Sequence, residues 1–365
     1  MLISEVIAHL ETIAPLSLQE SHDNAGLLTG QSEWFCTGAL CTLDVTEEVI
    51  TEAIRLKCNL VITHHPIIFS AIKKLTEYSY VGRTVISAIK NDIAIYAIHT
   101  NLDNVIEGVN KKMADRVGLS DRSILQPASG TLQKLFTYVP HAHLEIVRTA
   151  LFEAGCGHIG KYDECSFTSD GSGTFKATPG AIPFVGKIGQ RHMEAETKLE
   201  VIFPEYLQLS VIKALKQAHP YEEVAYEVIR LENTHPGIGS GLIGSLPQPL
   251  EVQHFLSKLK DGFNTGVIRH TSLSKKQIRK VAMCGGAGGF LISRAKRAGA
   301  DAFVSSDIRY HEFMEAGPDM IICDIGHYES EQFTPDLITE ILQEKFPTFA
   351  VLKSGIRTNP VHYFN

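Results

Sequence analysis

Five side chains in this chain have the types and spacing of a metal centre. His64 and His65 stand together at the end of an apolar run, Leu60-Val61-Ile62-Thr63, and lead into Pro66. Asp103 closes a second such segment, Ile98-His99-Thr100-Asn101-Leu102-Asp103. His327 and Glu331 follow a third, Ile321-Ile322-Cys323. Imidazole nitrogen and carboxylate oxygen bind divalent first-row metals, and a set without cysteine suits Zn, Fe, Mn or Co without choosing among them. His327 and Glu331 are one helical turn apart, with Cβ atoms ~6 Å from each other, so they can close on one ion or an ion pair. Consecutive strand residues point to opposite faces, so His64 and His65 serve two ions more readily than one. The set exceeds one tetrahedral shell and fits two ions sharing a carboxylate. Each signal has a plainer reading: hydrogen-bonded loop histidines, or Asp103 or Asn104 capping a helix that starts near Val105. Their coincidence at three strand ends points to metal.

Other residues could join such a centre. His99 could orient Asp103 or contact substrate. His311, one turn beyond Asp307, could shuttle protons, while Asp307 reads as a helix cap. Cys284-Gly285-Gly286-Ala287-Gly288-Gly289 falls between a predicted strand and a predicted helix. Its N–H groups, chiefly of Gly285, Gly286, Gly288 and Gly289, could hold an anion, or the run could be a packing turn. It lacks the lysine of a nucleotide-triphosphate loop. Gly239-Ser240-Gly241-Leu242-Ile243-Gly244 matches a dinucleotide fingerprint in letters, but Pro247 and Pro249 follow where a helix is required. It therefore reads as a tight joint. His219 and His235 precede prolines and read as turn residues.

These side chains must be positioned by strands and helices, and the sequence supplies both in alternation. Strands are predicted at 39–43, 60–63 and 93–98, with helices at 4–13, 46–57 and 80–90. Residues 134–139, 141–154, 161–167, 197–203, 205–218 and 224–231 read strand, helix, strand, strand, helix, strand, the order of a ferredoxin-like unit, with a Gly- and Thr-rich loop at 170–189. Alternation resumes with helices at 250–260, 290–298 and 335–345 and strands at 278–283, 302–305, 320–323 and 348–352. The fold class is α/β: a three-layer α/β/α body in two lobes, 1–127 and 236–365, interrupted by an α+β insert at 128–235.

Composition bounds the function. The 365 residues suit more than one domain, and 44% hydrophobic with 21% charged residues is ordinary for a globular chain. The formal net charge of −7 without a basic cluster makes nucleic acid an unlikely partner. Seven scattered cysteines, none in a CxxC pair, fit a reducing compartment. Neither a signal peptide nor a ~20-residue apolar span is legible, so a cytoplasmic location without membrane contact is expected.

Taken together, ITHHP (62–66), HTNLD (99–103), CGGAGG (284–289), SSDIRYHEF (305–313) and GHYESE (326–331) resemble the dinuclear-metal family of GTP cyclohydrolase 1 type 2 homologues, the Nif-three-like proteins. The resemblance spans essentially the whole chain. It implies two divalent ions per chain held by His64, His65, Asp103, His327 and Glu331, with Glu331 bridging, and a ring-shaped homohexamer. The insert, ending in His219-Pro220-Tyr221-Glu222-Glu223-Val224, resembles the PII-like or CutA-like domain of longer bacterial members. Where the family often has Trp-Asp-Asn near its N-terminus, this chain has His22-Asp23-Asn24. The expectation is a metal-dependent hydrolase of a nucleotide-like or phosphate-containing substrate, with GTP cyclohydrolase-type activity resting on the family label. The alternative is a non-catalytic metal-binding or regulatory protein whose insert senses a ligand or docks a partner. Five protein ligands leave open positions on two ions, which favours catalysis.

Overall fold

The computed structural model describes residues 1–364. The chain forms two units: Met1–Gln126 together with the chain from Gly237 on, and Pro127–Pro236. No helix among the described residues is long and apolar enough to cross a membrane.

The first unit holds two sheets. One has the order Gly26–Thr29, Ala94–Ala97, Leu60–Thr63, Ala39–Thr42, Val351–Lys353; all neighbours are parallel except the first pair. The other has the order Arg269–His270, Ile321–Asp324, Ala302–Ser306, Gln277–Ala287, Gly239–Glu251, Ser120–Pro127, with a parallel centre. The central strands are buried along their length because helices cover both faces. In the first sheet Cys41, Leu60 and Ile62 enter one core and Leu40 and Val61 another. The second sheet divides likewise, with Val281 and Met283 on one side and Ala282 and Cys284 on the other. This two-residue alternation makes three layers per lobe.

The lobes do not follow the chain as the sequence suggests. The boundaries 1–127 and 236–365 assign the C-terminal stretch to the second lobe, yet Val351–Lys353 pairs beside Ala39–Cys41. Leu337, Ile338 and Leu342 of helix Thr334–Lys345 pack in the first lobe's core. Conversely, Met113, Ala114 and Val117 of helix Val109–Val117 pack in the second lobe, and Ser120–Pro127 joins its sheet. Sheet membership follows which apolar face needs covering, which sequence order does not encode.

Two glycine-rich stretches also differ from expectation. Gly239–Gly244 lies inside a thirteen-residue strand, and Cys284-Gly285-Gly286-Ala287 continues the strand Gln277–Ala287. The register against Ala302–Ser306 shifts between Met283 and Ala287, so Gly285 and Gly286 form an irregularity within the strand.

The second unit has strands Leu132–Pro140, Ser166–Lys176, Arg191–Pro204 and Tyr226–Arg230, with helices Leu144–Glu153 and Gln208–Ala218. The sheet order is Ser166–Lys176, Arg191–Pro204, Leu132–Pro140, Tyr226–Arg230, antiparallel throughout, the ferredoxin-like order. The expected loop from 170 is instead an arm of a long hairpin as far as Lys176. Leu135, Val139, Leu199, Val201 and Phe203 face the helices. The alternate residues Phe136, Tyr138, Glu196 and Lys198 lie on the other face of the sheet.

Candidate metal centre

All five expected ligands converge within the first unit. His64 and His65 leave the end of strand Leu60–Thr63, their N–H groups donating to the carbonyls of Thr42 and Leu43. Asp103 ends the short helical turn Thr100–Asp103. His327 and Glu331 lie on the five-residue helix His327–Glu331, after strand Ile321–Asp324.

Each imidazole is oriented from its Nδ1. His64 Nδ1 donates to the carbonyl of Ile98 at 2.9 Å, since a carbonyl can only accept, and its Nε2 turns inward. His65 Nδ1 meets Asp44 Oδ1 at 2.7 Å, and His327 Nδ1 meets Asp307 Oδ2 at 2.5 Å. His99 Nδ1 meets Asp23 Oδ1 at 2.7 Å. Partners of this kind hold metal-binding histidines in one tautomer and one orientation.

The inward atoms form two groups that share Glu331. Glu331 Oε2 lies 2.9 Å from His65 Nε2 and 3.1 Å from His327 Nε2. Glu331 Oε1 lies 3.8 Å from His64 Nε2, which is 3.7 Å from Asp103 Oδ1. His65, His327 and Glu331 make one cluster of potential ligands, and His64, Asp103 and Glu331 a second. His64 Nε2 and Asp103 Oδ1 are buried without a hydrogen-bond partner among the described residues. Buried polar atoms are normally paired, and 3.7 Å is too long for a hydrogen bond. It is near the ~3.3 Å that separates ligands on a tetrahedral ion with ~2.05 Å bonds. The donor set therefore fits a pair of divalent cations better than it satisfies itself. An added β-carbon on Gly286, at φ +61°, would sit 2.5 Å from Glu331 Oε1, so the carboxylate is seated directly on backbone.

The electrostatics carry the same mark. Burial raises the Asp103 carboxyl and Glu331 pushes it further, to about 7. Burial also opposes a charge on Glu331, but His327, His64 and His65 hold it well below the usual carboxylate range. Burial opposes protonation of His65 and His327; Asp44 and Glu331 carry His65 up to about 10, and Glu331 and Asp307 carry His327 up to about 11. Protons on these imidazoles supply positive charge where cations would sit.

The site opens onto a cavity of about 780 Å³ whose walls include Glu20, Phe69, Asn104, Gln126 and Phe290. His99 is on this wall, its ring centre 5.2 and 5.5 Å from those of His64 and His65. A second cavity, of about 460 Å³, reaches His65 and His327 from the side of Asp44 and Asp307.

Other expected residues are placed differently. His311 is exposed, edge-on to Tyr310, and its backbone carbonyl accepts from Met314. None of these contacts is to the five. Two of the four N–H groups expected to hold an anion are taken inside the protein: Gly285 N–H donates to Asn110 Oδ1 and Gly286 N–H to Ser330 Oγ. A side chain on Gly288 would meet Ser305 Oγ at 2.2 Å, and one on Gly289 would meet Glu312 at 2.6 Å, so the backbone is closely packed there. Asp307 caps no helix; at φ +53° it turns toward His327. Sequence reasoning missed Asp23, Asp44 and Asp307 as partners of histidines. A visible signal existed for Asp44, which directly follows the apolar run 39–43 beside the histidine strand.

Two α/β lobes presenting paired His, Asp and Glu clusters that share one carboxylate define a candidate metal-binding protein. The chain belongs to the Duf34/NIF3 (NGG1p interacting factor 3) family, which it matches over residues 1–360. It is 39% identical over 360 residues to a GTP cyclohydrolase 1 type 2 homolog of Halalkalibacterium halodurans, covering 97% of each chain. A Bacillus subtilis protein with the same description is 36% identical over 98% of this chain and 97% of its own. The crystal structure of a Bacillus cereus protein related to NIF3 superposes with a TM-score of 0.87 at 37% identity, covering 100% of this chain and 99% of that one.

Proposed function

We propose that the protein is a dinuclear metal-dependent hydrolase acting on a small heteroaromatic, nucleotide-like substrate. The carrying observation is the pair of ligand clusters sharing Glu331, with His64 Nε2 and Asp103 Oδ1 buried and unpaired, at the floor of a cavity large enough for such a molecule. Two divalent ions supply Lewis acidity that polarises a carbonyl or phosphoryl oxygen and makes water a nucleophile near neutral pH. His64, His65 and His327, through Nε2, and the carboxylates of Asp103 and Glu331 would hold them. Ile98, Asp44 and Asp307 keep the rings aimed. His99, fixed by Asp23, presents its other face to the cavity and holds or moves a proton there. The relatives' description as cyclohydrolase homologues agrees with attack on a ring C–N bond. Phe69 and Phe290 offer flat apolar surface, while no lysine or arginine among the described residues lines the cavity. The base end of a nucleotide suits these walls better than its phosphates.

The test is chelation, reloading with Zn, Mn, Fe or Co, and a panel of nucleobases, nucleosides, nucleotides, cyclic amides and phosphoesters. Metal-dependent hydrolysis that disappears in Asp103→Ala is expected. Full metal content without turnover across the panel would instead favour a non-catalytic, regulatory metal protein. The separate cavity in the insert is the observation that keeps this second reading in view.

A further inference from the structure

The insert contains a built cavity that the metal chemistry does not use. It measures about 660 Å³ and lies on the sheet face away from the two helices. Its walls are largely aromatic. Phe184 and Phe175 stand 6.1 and 6.4 Å, centre to centre, from Tyr221, and Tyr138 adds a fourth ring. Glu196 is on the same wall and only 8% exposed. Its Oε1 accepts the Tyr221 hydroxyl at 2.7 Å. Its Oε2 has no hydrogen-bond partner among the described residues and rests against Gly173, where an added β-carbon would be 2.1 Å away. Glycine at this position keeps that oxygen in place.

The cavity's charge balance is one-sided. Asp170, Glu222 and Glu223 also line it. Asp170 accepts from Thr197, and Glu222 accepts the Ile182 N–H. The one cationic lining residue among those described, Lys198, is paired with Glu200 at 2.9 Å and lies over the Phe136 ring at 4.1 Å. Burial and Glu196 both raise the Tyr221 phenol, so it stays a donor. A carboxylate oxygen that accepts no hydrogen bond from the described residues, open to a cavity with aromatic walls, is strongly attractive to a cation.

We propose that this cavity is a binding site for an organic ammonium ion, with the ammonium on Glu196 and the apolar body against Phe175, Phe184 and Tyr221. Anionic ligands such as nucleoside phosphates are disfavoured by the same carboxylates. The site is separate from the hydrolase reading and stands or falls independently of it.

The test uses three probes with one ring body and different charge: 2-phenylethylammonium, 2-phenylethanol and phenylacetate, titrated calorimetrically into the full-length, metal-loaded protein near neutral pH. The ammonium is expected to bind once per chain and at least ~10-fold tighter than the alcohol, with phenylacetate weakest. Glu196→Gln should erase the preference and leave binding of the alcohol unchanged. Ser172→Lys, at an exposed lining position, should place its own ammonium in the cavity and expel the probe, which keeps the test decisive if the Glu196 variant fails to fold. The proposal is overturned if phenylacetate or ATP binds tighter, if Glu196→Gln binds the ammonium as well as the wild type, or if no probe binds at millimolar concentration, as when a second copy of the chain fills the cavity.

Discussion

Replacing Glu331 by Gln is the sharpest perturbation of the metal centre. The amide keeps the shape of the carboxylate but has one oxygen and one NH2. Wild-type Oε2 lies 2.9 and 3.1 Å from the nitrogens of His65 and His327, and Oε1 lies on the His64 side at 3.8 Å. In the variant, one cluster keeps a neutral oxygen and the other faces an N–H donor that cannot bind metal. Both lose the negative charge. Changing an outer partner of a ligand costs ~10–100-fold in metal affinity. Loss of the shared ligand itself should cost at least ~100-fold at each ion, about 2.8 kcal/mol per site. Competition against a chromophoric chelator, with elemental analysis after dialysis, measures both affinity and stoichiometry. Wild type should hold two ions, Glu331→Gln neither, and Asp103→Asn only the one on the His65–His327 side. The bridging assignment is refuted if Glu331→Gln retains two ions near wild-type affinity, or loses one ion as Asp103→Asn does.

Asp44→Asn should weaken metal binding by ~10–100-fold without unfolding the chain, because it releases His65 Nδ1 and leaves every inner ligand in place; the same chelator competition reads it. In metal-free protein, His65 and His327 bind their protons more tightly folded than unfolded. Their contribution to stability is whole below about 6.5 and is lost as pH rises through about 10 and 11. The melting temperature of chelated protein should therefore fall between pH 7 and 10, and His65→Gln should flatten the slope. Replacing Pro127–Pro236 by a short linker should leave a soluble body that still binds metal, as judged by elemental analysis; an insoluble or metal-free product would show that the insert is needed by the body.

Much of the candidate site was legible because its potential ligands are few, chemically distinctive and sit at the ends of apolar strands. His64, His65, Asp103, His327 and Glu331 could be named without coordinates, and the structure gathers them. The aspartates behind the rings were harder to see. Asp23 is 76 positions from its partner His99, and an aspartate in a loop looks the same whether it caps a turn or steers an imidazole. The glycine runs misled for a related reason. Glycine signals a permissive backbone, but not whether that freedom serves a turn, a ligand or close packing against a carboxylate such as Glu331. The ferredoxin-like order of the insert followed from periodicity. The exchange of terminal segments between the two lobes did not, since Val351–Lys353 reads like any short edge strand.

The insertion point has a kinetic consequence. Ser120–Pro127 and Gly239–Glu251 are neighbours in one sheet, so the insert takes the place of a hairpin loop. Closing a flexible loop of ~110 residues costs ~2 kcal/mol more than closing one of ~10. The insert's own first and last strands, however, pair with each other, with Gln133 opposite Arg230. Beyond them Leu231 N–H donates to the Leu132 carbonyl, and His235 N–H to Thr131 Oγ1. Once folded, the insert holds its own ends together and acts on the body as a short tie, removing most of that entropic barrier. A lesion in the insert's core, at Leu135 or Val201, should therefore slow assembly of the two lobes, as refolding kinetics would show.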